Sequence, residues 1–119
     1  MSNDNVTEVV PHDDVVLIAV LARSLDDVTT RQLVDDVETA AYQRIGVPIL
    51  LDLTRLKFAP SVALGQLVQL SKSFKMENRR VGLFGVDRRV MSAIRVTQLD
   101  KILDIHPNLE RALESISRR

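Results

Sequence analysis

The sequence predicts an α/β fold with a mixed sheet, on three observations. Short β-branched or apolar runs alternate with stretches of helical period. The first two runs, "TEVV" and "VVLIAVL", are separated only by the turn-type "PHDD", whereas the later runs are separated by helix-length segments. Finally, "PILLDL" and "RVGLFGV" are continuously apolar, as strands covered on both faces are.

The elements follow in order. Thr7 to Val10 and Val15 to Leu21 read as a β-hairpin. "RSLDDVTT" breaks that pattern, and apolar residues then recur at Leu33, Val34, Val37, Ala40, Ala41 and Ile45. That is one helix face, stopped by Gly46 and Pro48. Pro48 to Leu53 is a central strand, followed by the loop "TRLKFAP". The helical period returns from Val62 through Leu64, Leu67, Val68, Ser71 and Phe74. Arg80 to Val86 reads as a buried strand, and Asp87 as the cap of a helix carrying Val90, Met91 and Ile94. Lys101 to Ile105 reads as a short strand. Pro107 and Asn108 open a last helix with Leu109, Ala112, Leu113 and Ile116 on one stripe. The order is β-β-α-β-α-β-α-β-α, with no linker or internal repeat. The polar ends, including the terminal "SISRR", are expected to fray.

The 119 residues fit one domain, with its core over about residues 7–113, and 45% of them are hydrophobic. Sixteen basic and sixteen acidic residues cancel to a net charge of zero, which argues against a nucleic-acid partner. The absence of cysteine excludes disulfides and thiolate metal sites and fits a reducing compartment. "MSNDNVTEVV" has no basic or apolar leader region, and "VVLIAVLA" is too short to span a bilayer. The expected location is the cytoplasm.

Catalytic signals are weak. His12 and His106 each stand beside a proline, and both read as turn residues rather than metal ligands. The pairs Asp13–Asp14, Asp26–Asp27 and Asp35–Asp36 read as turn, cap and helix-surface chemistry. "GLFG" lacks the spacing of a phosphate-binding loop. Arg79, Arg80, Arg88, Arg89 and Arg95 read as a solvated face. No enzyme, metal or cofactor is expected.

One residue stands out. In "FAPSVALG", Ser61 follows Pro60 at the start of an apolar helix. As a nucleophile it lacks a G-x-S-x-G turn and a placed histidine. As a helix N-cap it would stabilise by about 1 kcal/mol. The same position favours a phosphate, because free amides and the positive end of the helix dipole meet there.

The segments "RSLDDVTTRQL", "PILLDLTRLKFAPSVALGQLVQL" and "RVGLFGVDRRVMSAIRVTQLDKILDIHPNLERAL" together resemble the STAS domain of bacterial anti-sigma factor antagonists. The resemblance runs from about Thr7 to Leu113 and implies a STAS-like fold: a four- to five-stranded mixed sheet with about four helices packed on it. It implies a partner switch, in which an anti-sigma factor that is also a serine kinase phosphorylates the antagonist and a serine phosphatase resets it. Ser61 falls on the phosphoacceptor position and Asp26 on the acidic loop position near it. Pro60, Val62 and Gln66 join Asp26 as expected partner-binding residues. Pro60 stands where the family usually has aspartate, Val62 replaces a small polar residue and Ala63 replaces glycine, so this helix start is stiffer and more apolar. The expected state is a monomer or weak homodimer. The alternative is an unswitched STAS subunit of a stressosome-like scaffold or a lipid-transport complex.

Overall fold

The apolar runs take the middle of the sheet. The computed structural model describes residues 5–117. Its elements are β1 (Thr7–Val10), β2 (Val16–Val20), α1 (Asp27–Gln43), β3 (Ile49–Asp52), α2 (Ser61–Lys75), β4 (Val81–Phe84), α3 (Arg88–Val96), a 3-10 turn (Leu99–Lys101), β5 (Asp104–His106) and α4 (Leu109–Ser117). The five strands lie in the order β1-β2-β3-β4-β5. β1 is antiparallel to β2, and the other three pairings are parallel. The fold is thus a five-stranded mixed sheet with four helices.

Alternation within each strand divides the core. Val16, Ile18, Ile49, Leu51, Val81 and Leu83 face one side, where Leu33 and Val37 of α1, Leu64 and Leu67 of α2, and Val90 and Ile94 of α3 cover them. All three crossover helices share this face, as crossovers of one hand between successive neighbours require. Val15, Leu17, Leu50 and Phe84 face the other side and are covered by Leu109, Ala112 and Leu113 of α4. α4 starts where the sequence places it: the Asn108 side chain accepts from the Arg111 amide at 2.9 Å, as an N-cap does.

Three expectations need correction. The last strand is Asp104–His106, not Lys101 to Ile105. Gln98 adopts a left-handed conformation, φ 60°, and a 3-10 turn consumes the next residues, so pairing with β4 begins only at Asp104. His106 therefore belongs to a strand. Ile45 is 83% exposed, because α1 ends at Gln43 and Gly46, φ 89°, turns the chain away. The expected fraying of "SISRR" is not seen at Ser115–Ser117, which complete α4; Arg80 donates to the Ser115 carbonyl at 2.9 Å and its hydroxyl at 3.0 Å. Arg118 and Arg119 lie outside the described residues.

Arg79 is also not a solvated residue. It is 4% exposed, and its guanidinium sits 5.3 Å from the centre of the Phe74 ring. Its donors reach the carbonyls of Val47 at 2.9 Å, Ala41 at 2.9 Å and Arg44 at 3.0 Å. These carbonyls belong to the last turn of α1 and its exit turn; that of Ala41 also accepts from the Arg44 amide at 3.2 Å. Removing the guanidinium takes a donor from each of these buried or part-buried carbonyls and empties the space it fills against Phe74. Arg79→Ala is therefore expected to lower the unfolding free energy by about 3 kcal/mol. Arg79→Lys recovers only part of it, since one ammonium cannot fan its donors over three carbonyls in the plane of a guanidinium. Urea unfolding of the two variants beside the wild type checks this.

Candidate functional site

The parallel strands β2, β3 and β4 all run toward the same end of the sheet, so α1, α2 and α3 all begin there. The loops entering α1 and α2 continue the pairing of β2 and β3 beyond the sheet. Lys57 donates to the Arg23 carbonyl at 2.7 Å, Leu25 donates to the Phe58 carbonyl at 3.2 Å, and Ser24 bridges Phe58 in parallel. The β3–α2 loop is pinned elsewhere too. The Asp52 carboxylate accepts from the Thr54 amide at 2.9 Å and the Thr54 hydroxyl at 2.8 Å. Gly85, φ 71°, lies so close to Thr54 that a β-carbon there would collide with its methyl group. Lys57 donates to the Thr54 carbonyl at 3.0 Å and sits 3.4 Å from Asp87.

The three helix starts are closed differently. At α1, the Asp26 carboxylate accepts from the Thr29 amide at 2.8 Å, and the Thr29 hydroxyl accepts from the Asp26 amide at 2.8 Å: a capping box. At α3, the Asp87 carboxylate accepts from the Arg89 amide at 2.9 Å. At α2 the N-cap is Pro60, φ −68° and ψ 163°, and no side chain caps the helix. Ser61, expected as the cap, is instead the first helical residue. It is exposed, and its hydroxyl has no hydrogen-bond partner among the described residues. The first turn of α2 contains no acidic residue.

Around this open start the surface is apolar. Val62 is 66% exposed and Phe58 61% exposed, while the next residues, Ala63 and Leu64, are buried. Val62, Gln66 and Gln69 are exposed on one side of α2. Val62 and Gln66 also line a groove of about 240 Å³ against Asp27, Arg31 and Val34 of α1. Asp26, Pro60 and Ser61 lie outside that groove, at the helix starts above it. The sequence reading passed over Phe58, although an aromatic residue in a loop, out of phase with either neighbouring element, is a signal of an exposed contact. Among the described residues no group of three or more His, Asp or Glu side chains is arranged to hold a metal ion, and no helix is long and apolar enough to cross a membrane.

The caps give this end a pH dependence. The Thr29 backbone N–H, and then its hydroxyl, hold the Asp26 pKa below its ordinary value of 3.8. The Arg89 backbone N–H, helped by Lys57, does the same for Asp87. A carboxylate depressed in the folded state stabilises fully above its unfolded pKa, and the effect is lost as pH falls through the folded value. Asp26→Ala is thus expected to melt below the wild type at pH 7, with the gap narrowing as the pH is taken below 3.8. Thermal melts across the acid range check this.

The family model that describes the STAS domain matches residues 7–112. No curated relative matches the sequence. Solved structures do. An anti-sigma factor antagonist from Mycobacterium paratuberculosis is 25% identical, with 92% of each chain covered and a TM-score of 0.79. An anti-sigma-factor antagonist (STAS) domain protein from Planctomyces limnophilus is 20% identical, covering 93% of this chain and 97% of that one, at a TM-score of 0.77. The anti-sigma factor antagonist SpoIIAA in its unphosphorylated form is 18% identical, covering 92% of this chain and 95% of that one, at a TM-score of 0.73. The last two likenesses concern the fold; the family match extends over both helix starts, the β3–α2 loop and the sheet, and on it the chain belongs to the STAS domain family.

Proposed function

We propose that this protein is a non-enzymatic, cytoplasmic anti-sigma factor antagonist, that it docks the start of α2 on an anti-sigma factor with serine-kinase activity, and that phosphorylation of Ser61 breaks the complex. A serine phosphatase then restores binding. The observation that carries the reading is the open N-terminus of α2: an exposed, unpartnered serine on a helix start that nothing else caps. Asp26, Pro60, Val62 and Gln66 form the surroundings that the partner touches, and Phe58 adds an apolar contact.

The switch follows from two unequal energies. On the free protein, a phosphate on Ser61 is welcome, since the α2 amides and helix dipole favour it by roughly 0.3–1 kcal/mol. Inside a closed interface the same group must shed water, which costs several kcal/mol. Micromolar binding amounts to only about 8 kcal/mol. The second term dominates, so the modified protein stays folded and lets go.

Gly65 supports the same face. It lies one helical turn beyond Ser61, and a β-carbon built there meets nothing within 4 Å. The fold has no packing reason for glycine in mid-helix, where it costs about 1 kcal/mol relative to alanine. Close approach of a partner backbone supplies one.

Two predictions separate binding from folding. Ser61→Asp is expected to weaken the complex by roughly 100-fold or more, while raising stability by about 0.5 kcal/mol; Ser61→Ala binds within about threefold of wild type. Calorimetric titration against the kinase-type anti-sigma factor of the same genome reads this, and equal affinity of all three proteins would overturn the proposal. Gly65→Ala is expected to stabilise the protein by about 0.5–1 kcal/mol and to weaken the same complex by roughly tenfold. Unfolding and titration on one sample measure both.

A further inference from the structure

A second cleft opens at the other end of α2, away from Ser61. Ser71 and Lys75 from the last turns of α2 form one wall. Arg79, Arg80 and Val81, at the entry to β4, form the floor, and Ile102 and Asp104 close the far side. The space is about 370 Å³ and lies in the lower part of the range of small-ligand sites.

Its charges do not cancel. Arg80 and Asp104 neutralise each other at 2.7 Å. Arg79 is spent on carbonyls and has no carboxylate partner among the described residues. Lys75 has none either. The C-termini of α1 and α2 approach this region, and each contributes roughly half a negative charge. Together they offset one of the two unpaired cations, which leaves the cleft with about one positive charge. The Ser71 hydroxyl oxygen is buried in the wall with no hydrogen-bond partner, so it holds an unspent donor. Val81 and Ile102 are apolar, and Ile102 is 49% exposed although it follows directly on a structured turn.

We infer that this cleft binds a small organic monoanion with a short apolar body. The anionic group is held by Lys75 and by the Ser71 hydroxyl, turned toward the cleft, and the apolar body lies on Ile102 and Val81. The site is independent of Ser61 and of any partner switch.

Hexanoate is the probe, with hexylammonium as the same body carrying the opposite charge. In amide NMR spectra of the full chain, hexanoate is expected to shift Ser71, Lys75, Arg80 and Ile102 with a dissociation constant on the order of 1 mM, and to leave Ser61 to Gln66 unmoved. Lys75→Glu should weaken that binding roughly tenfold. Lys72→Glu, the same charge change on the same helix outside the cleft, should leave it within about twofold. Ser71→Ala should also weaken it. Hexylammonium causing equal shifts at the same residues would overturn the anionic class. Absence of localised hexanoate shifts up to about 20 mM, or equal loss with Lys72→Glu and Lys75→Glu, would overturn the site.

Discussion

The Arg79 guanidinium is the contact on which the rest of the architecture leans. A parallel strand pair needs a helical crossover, and the crossover has to bring the chain from the end of a helix back to the start of the next strand. Here the helix end is α1, where the Arg44 amide donates to the Ala41 carbonyl at 3.2 Å. Arg79, from 32 to 38 residues further along, donates to that carbonyl and to those of Arg44 and Val47, joining the helix end and the α1–β3 turn to the entry of β4. Arg44 extends the stitching: its guanidinium donates to the carbonyls of His12, Asp13 and Val15 and so ties the hairpin turn to the same place. Two arginines thus position the strand entries by fixed, planar donors rather than by ion pairs.

The opposite end is asymmetric in a way that matters. Three helices start there, and two are closed by aspartates that accept from their first-turn amides. The loops between are held by the Ser24–Phe58 bridge, the Asp52–Thr54 turn and the close approach of Gly85 to Thr54. Flexibility is therefore not the reason that α2 lacks a cap. Its start is firmly placed and chemically open, and the exposed serine sits on it. The apolar side chains beside it, Phe58 and Val62, lie on a framework that need not rearrange to present them.

How far the sequence reaches depends on whether a signal is local. The order of elements was legible because strand and helix periods differ, and "PILLDL" and "RVGLFGV" carry no polar alternation to confuse them. The caps at Asp26 and Asp87, and the start of α4 at Asn108, were legible because a helix start is marked by contacts within three residues. The exposed side of α2 at Val62 and Gln66 followed from the buried stripe opposite it. Arg79 was not legible: its acceptors are more than thirty residues away, and nothing next to it distinguishes it from Arg80. The shift of β5 had the same cause in smaller form. Gln98 adopts a left-handed conformation with no glycine to announce it, and three residues of expected strand or approach go into a turn. Ser61 was misplaced by one position for a related reason. Serine is a favoured N-cap, yet the extended Pro60 takes that place and leaves Ser61 the first helical position.

Pro60 also bears on the proposed switch. An aspartate there would place a carboxylate beside the α2 amides and compete with a phosphate on Ser61 for them. Proline supplies neither charge nor side-chain acceptor, so the amides stay free and the surface before modification is less polar. The change therefore acts on both sides of the comparison. It improves the accommodation of a phosphate on the free protein by an amount limited to the exposed helix-dipole scale, about 1 kcal/mol at most. It also makes the unmodified face, Phe58 to Val62, drier, so that the contrast on adding the phosphate is larger at the partner. Desolvation of the phosphate in the closed interface is several-fold larger than the dipole term. With proline rather than an acid at position 60, the proposed switch keeps its sign and would rest on the single hydroxyl of Ser61.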